Sequence, residues 1–132
     1  MATLVPYLLV GLGGFLGANA RFILAHLVDG AIVTRFPLAT FLINVSGSFL
    51  LGLLGAAVAV WVGPGSYTAR VALGVGFLGA FTTFSTFELE THALLENGAW
   101  PMAVAYTMGS VLAGLLALRA GVVLGRAWLG TA

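Results

Sequence analysis

The chain has 132 residues, 61% hydrophobic and 7% charged, with a formal net charge of +1 at pH 7 and a mean hydropathy of +1.12. A soluble domain carries about 25% charged and about 45–50% apolar residues, and a chain this small has too little interior to hide the excess, so lipid must be its solvent. The near-neutral charge excludes a nucleic-acid binder, which needs a basic stripe, and the absence of cysteine excludes disulfides and thiolate metal sites.

Four apolar stretches approach the roughly 20 residues that span a hydrocarbon core. The first is expected from about Leu4 to Leu27. Ala18-Asn19-Ala20 resembles a small-residue cleavage site, but no Lys or Arg precedes that apolar run, so an uncleaved span is expected. Near its end lies Arg21, the one permanent charge well inside a predicted span. An intramembrane ionisable group is a functional candidate by default, here as a source of positive potential at a pore mouth; the alternative is snorkelling to the interface. The second span runs from about Leu38 to Val62, and Thr40, Asn44 and Ser48 recur on one face of it. Thr40 and Ser48 suit either hydrogen bonding to neighbouring helices or a polar track. Asn44 is different, because an unpaired amide in lipid is more costly than a hydroxyl that can bond its own helix.

The third span, about Arg70 to Leu95, carries the main irregularity. Thr82-Thr83-Phe84-Ser85-Thr86-Phe87 places four hydroxyls in six residues, and hydroxyls compete for backbone bonds while the upstream Gly79 adds flexibility. A break here is expected, freeing carbonyl oxygens that are tolerated in a membrane only when buried in protein or occupied. Oxygen-only ligation suits a hard cation such as Na+. Phe84 and Phe87 are either packing bulk or ring edges presented to a small anion, and periodicity does not separate them from Phe77 and Phe81. Gly74-Val75-Gly76-Phe77-Leu78-Gly79 spells GxGxxG, but no strand precedes it, so these are read as packing glycines. The fourth span runs from about Trp100 to Leu124, with Tyr106 and Ser110 one turn apart.

The connecting segments, Asp29-Gly30 to Arg35-Phe36-Pro37, Gly63-Pro64-Gly65-Ser66 and Glu96-Asn97-Gly98, read as turns too short to hold a separate domain. The expected architecture is one all-α transmembrane domain over 1–132. Close helix approach is expected from small residues four apart: Gly13 with Gly17, Gly14 with Ala18, Ser48 with Gly52. Orientation signals are feeble: Arg70, Arg126 and Arg119 fall on one side, Arg35 on the other, with Arg21 inside a span. Such balance invites insertion both ways and antiparallel pairing of two copies about an axis in the membrane plane.

The stretches Gly-Gly-Phe-Leu-Gly-Ala-Asn-Ala-Arg at 13–21, Asn-Val-Ser-Gly-Ser-Phe at 44–49 and Gly-Phe-Leu-Gly-Ala-Phe-Thr-Thr-Phe-Ser-Thr-Phe at 76–87 resemble the Fluc (CrcB) family of fluoride channels, over nearly the whole chain. The resemblance implies a dual-topology antiparallel homodimer in the bacterial inner membrane, with two pores and a structural, non-transported Na+ at its centre. It assigns the Na+ carbonyls to Gly79 and Thr82, and the fluoride pore to Asn44, Phe84, Phe87 and Ser110 with Tyr106. Thr83, Ser85 and Thr86 join the same polar track; Arg21, Thr40 and Glu90 are vestibule or structural positions. Ala80 stands where the family often has a second glycine. The implied role is passive fluoride export that lowers fluoride toxicity, without cofactor chemistry or catalysis. The rival is a proton-coupled exporter of the small multidrug type, which needs an intramembrane carboxylate; Glu88 and Glu90 are its only candidates. A purely structural subunit leaves the polar break beside two phenylalanines unexplained. His26 and His92 lie near span ends without a catalytic constellation.

Overall fold

The computed structural model describes residues 4–61 and 63–130, and the regular structure among them is helical. Helix α1 spans Val5–Ala31 and α2 spans Leu38–Val60. A third rod comprises α3 (Pro64–Ala69), a π-helical stretch (Arg70–Leu78) and α4 (Gly79–Phe81), and α5 (Phe84–Glu96) follows it. The last helix, α6, spans Trp100–Leu129. Four helical segments are long and apolar enough to cross a membrane: Val5–Ala31, Leu38–Val60, Pro64–Glu96 and Trp100–Leu129.

The boundaries depart from the sequence expectation in instructive ways. Helix α1 continues past Leu27 through Asp29-Gly30 and stops only before the Ile32-Val33-Thr34 run, whose β-branched side chains lose freedom in a helix. Arg21 therefore stands ten residues before the helix end, about 15 Å along the axis, rather than near its terminus. The third rod begins at Pro64, not Arg70. Proline is well suited to a first helical turn because its missing N–H would be unbonded there anyway. Helix α6 runs past Leu124 to Leu129 and closes on Gly130 at φ 67°, the left-handed conformation that glycine adopts without strain. The expected end of the second span, Val62, lies outside the described residues.

Two glycine-lined seams hold the bundle. Helix α1 packs on the π-helical stretch and α4, while α2 packs along α6. A Cβ on Gly13 would strike the Ala72 carbonyl, and one on Gly17 the Phe77 carbonyl. In the second seam, Cβ atoms on Gly52 and Gly121 would strike the carbonyls of Leu118 and Phe49. Backbones meet backbones in both seams, the close approach that small residues permit where lipid gives no hydrophobic drive. Gly76 fits the same pattern, buried against Val10 and Gly13. Between the seams sits a small core of Ile43, Leu78 and Phe81, with Phe77 stacked on Phe81 at 5.9 Å. Many large apolar side chains on the outer faces remain exposed, Phe15, Phe22, Leu116 and Trp128 among them.

Candidate functional site

Helical backbone geometry is interrupted between Phe81 and Phe84. Thr82 (φ −78°, ψ 158°) and Thr83 (φ −148°, ψ 120°) are both extended. The chain turns here because side chains satisfy the backbone groups that the helix releases. Asn44 on α2 clamps the Thr83 residue from both sides: its Nδ2 donates to the Thr83 carbonyl at 2.9 Å, and the Thr83 N–H donates to Oδ1 at 2.8 Å. Thr83 then caps α5, accepting the Thr86 N–H at 3.3 Å and donating its hydroxyl to Thr86 Oγ1 at 2.9 Å. Such a cap is worth about 1 kcal/mol. Thr82 stays tied to the preceding turn, its N–H and hydroxyl both donating to the Leu78 carbonyl at 3.0 and 2.9 Å.

The clamp has a consequence upstream. In an uninterrupted helix the Thr83 N–H would bond the Gly79 carbonyl; Asn44 takes it instead. The Gly79 carbonyl thus loses its helical donor, at a half-turn where Gly79 is itself exposed.

Beside this junction lies a cavity of about 340 Å³ walled by Asn44, Ser48, Gly79, Thr82, Thr83, Phe84, Phe87 and Ser110, with Leu51 and Val111 among its apolar neighbours. No acidic or basic side chain lines it. The Ser110 hydroxyl is buried and is the one buried side-chain polar atom, among the described residues, without a hydrogen-bond partner. That hydroxyl is therefore uncommitted to protein partners at the cavity wall. Phe84 and Phe87 have tilted rings 5.8 Å apart; Phe84 is 70% exposed and Phe87 half-buried. The two phenylalanine pairs that periodicity could not distinguish are therefore split, Phe77 and Phe81 going to the core and Phe84 and Phe87 to the cavity wall.

One turn beyond Phe87, Glu90 is gripped at both oxygens. Thr40 Oγ1 donates to Oε1 at 2.9 Å and Tyr106 Oη to Oε2 at 2.7 Å. Tyr106 is wholly buried, its ring 5.1 Å from Phe87 and edge-on to Phe36 at 5.3 Å. Glu90, Phe36 and Arg35 in turn line a second space of about 700 Å³ that also borders Asp29. Thr40, Asn44, Thr83, Thr86, Phe84, Phe87, Glu90, Tyr106 and Ser110 are thus brought into one continuous set from α2, α5 and α6. Ser85 is exposed and lines neither space, and Arg21, on α1, lines neither.

Sequence reasoning missed Phe36, which it assigned only to a turn. The ring pins the α1–α2 loop onto Tyr106 and Phe41, and the Phe36 N–H is bonded by Thr34 Oγ1 at 3.1 Å. The usable signal was a lone aromatic in a short polar connection, set beside a proline. Gly47 was missed as well: a Cβ there would strike the Thr82 side chain.

A family model described as CrcB-like protein, Camphor Resistance (CrcB) matches residues 8–122. The chain is 42% identical over 122 residues to the fluoride-specific ion channel FluC of Solibacter usitatus, covering 92% of this chain and 99% of that one. It is 43% identical over 126 residues to the fluoride-specific ion channel FluC 2 of Moorella thermoacetica, covering 96% and 93%. With the FluC of Phenylobacterium zucineum it shares 44% identity over 119 residues, covering 90% and 94%.

Proposed function

The chain belongs to the CrcB family, and from that premise we propose that it is a multi-pass plasma-membrane channel that conducts fluoride passively and selectively. The observation that carries the reading is the uncharged cavity in which the unpartnered Ser110 hydroxyl meets the rings of Phe84 and Phe87. A small anion there finds a hydroxyl donor and positive ring edges, yet no basic side chain in the lining to trap it, as conduction requires. The kinship to channels named as fluoride-specific supplies the ion. Hydrogen fluoride enters cells as a neutral weak acid and dissociates in the more alkaline cytoplasm. An anion pore then lets the membrane potential drive fluoride out.

The working unit in this reading is an antiparallel homodimer, with the Thr82–Thr83 interruption lying mid-membrane and facing its copy. Support comes from the broad exposed apolar faces and the weak basic bias of the loops. The oxygens at the interruption fit a structural Na+: the Gly79 carbonyl has lost its helical donor to Asn44, and Thr82 supplies a neighbouring carbonyl. Bound there, the ion would supply a fixed positive charge between the subunits. Asn44 acts by keeping the Thr83 N–H away from Gly79, while Thr83 and Thr86 continue the polar track toward Glu90.

The test is fluoride efflux from liposomes holding the purified protein, with chloride as control and no pH gradient. The expected result is rapid efflux set only by a K+ diffusion potential, with chloride retained, and loss of flux in Phe84→Ile and Phe87→Ile. Fluoride that stays inside until a proton gradient is imposed would overturn the channel reading in favour of a proton-coupled exporter.

A further inference from the structure

An anion leaving the cavity past Phe87 meets an obstacle of like charge. Glu90 lies one turn further on, its two oxygens accepting from Thr40 and Tyr106. The second space, which begins there, is also bordered by Asp29, near the end of α1. Two carboxylates at an exit would raise a barrier to any anion crossing it. The same space holds one basic side chain, Arg35. Arg35 is exposed and makes no hydrogen bond or ion pair among the described residues. The backbone that carries it is nevertheless held in place, because the adjacent Phe36 is wedged edge-on against Tyr106 and Phe41 and is tied to Thr34. Pro37 then rigidifies the entry to α2. The loop thus holds a cation over the mouth without neutralising it in a salt bridge.

We propose that Arg35 is a rate-setting electrostatic residue of the fluoride path, drawing the anion into the mouth bordered by Glu90 and opposing Asp29 across it. The proposal rests on the channel reading. It also sets Arg35 apart from Arg21, which borders neither space. Long-range action of this kind raises the local concentration of the permeating ion without touching it. Its hallmark is sensitivity to salt, since the screening length falls from about 30 Å at about 0.01 M to about 3 Å at about 1 M ionic strength. One unit charge acting through about 8 Å of water changes the anion's occupancy roughly two- to threefold.

The experiment measures fluoride efflux from liposomes at a fixed K+ diffusion potential, with fluoride well below saturation and ionic strength set by an impermeant organic salt. At low ionic strength Arg35→Gln should slow efflux roughly two- to threefold and Asp29→Asn should speed it by a similar factor, whereas Arg35→Lys should match the parent. At about 1 M ionic strength the four proteins should converge. Equal rates at low salt, or a deficit in Arg35→Gln that persists unchanged at high salt, would overturn the proposal. Should Arg35→Gln fail to purify as a folded protein, Asp29→Asn decides alone: no acceleration at low salt refutes it. A parent protein that passes no fluoride at either ionic strength would instead bring down the channel reading, and this inference with it.

Discussion

Replacing Asn44 by alanine separates two roles that the same residue can play. One is to touch the permeating ion; the other is to hold the interruption at Thr82 and Thr83 open. Both polar atoms of the amide are engaged with Thr83, at 2.9 and 2.8 Å, so the geometry assigns the holding role first. Truncation removes two hydrogen bonds, each worth about 1 kcal/mol net, for a total of about 2 kcal/mol. If no water replaces the side chain, the Thr83 N–H and carbonyl are each left unbonded at about 1–3 kcal/mol, and the loss grows to about 2–6 kcal/mol. The Thr83 N–H reports this directly. Its hydrogen exchange should accelerate by at least about thirtyfold in Asn44→Ala, since 1.4 kcal/mol corresponds to a factor of ten. Fluoride efflux should fall in the same variant, because the Thr83–Thr86 cap loses its fixed start. Efflux that vanishes while Thr83 exchange stays at the parent rate would refute the holding role and make Asn44 a direct ligand instead.

Three further substitutions test neighbouring claims. Ser110→Ala removes a hydroxyl with no partner, so thermal stability in detergent should be unchanged or slightly raised. Fluoride efflux should meanwhile drop by about tenfold or more, the value of a hydrogen bond to a charged group. Gly52→Ala should destabilise the protein by about 1–3 kcal/mol, because its Cβ meets the Leu118 carbonyl. Gly55→Ala, with nothing within 4 Å of the added Cβ, should be neutral or gain up to about 1 kcal/mol of helix propensity; detergent melting curves compare the two. Glu90→Gln removes the like charge at the mouth but turns one acceptor into a donor facing Thr40 or Tyr106, and its effect on efflux should be the same at every pH gradient. A variant that loses only gradient-driven transport would mark Glu90 as a proton carrier.

Membrane insertion and four spans were legible because hydropathy over some twenty residues is a collective signal, and single residues do not change it. Helix ends were not, since they depend on local terms that the apolar average hides. Asp29-Gly30 reads as a turn, yet α1 runs through it to Ala31. Gly63-Pro64 reads as a loop, yet proline at the first turn starts a helix there. Partners across the bundle were the least legible. Asn44 stood out because an amide within a span must find a partner, but nothing in the spacing named the Thr83 peptide. The grip of Thr40 and Tyr106 on Glu90 links residues 50 and 16 positions apart in sequence. Phe36 could not be found by period, since it sits in a loop where no period exists.

These contacts also explain why one chain can combine a rigid bundle with a polar route through it. The two seams place backbone against backbone at Gly13, Gly17, Gly52 and Gly121, so the helices hold together without polar side chains. That leaves the polar groups of α2 and α6 free to face α5. Of these, Asn44 is committed to Thr83, and Thr40 and Tyr106 to Glu90. Ser110 alone, among the buried polar side-chain atoms of the described residues, is uncommitted, and it opens onto the cavity that Phe87 shares. With Asn44, Thr82 and Thr83 already engaged, the site offers a passing anion hydroxyl donors rather than charges. Binding at such a site is strong enough to admit the ion and weak enough to release it.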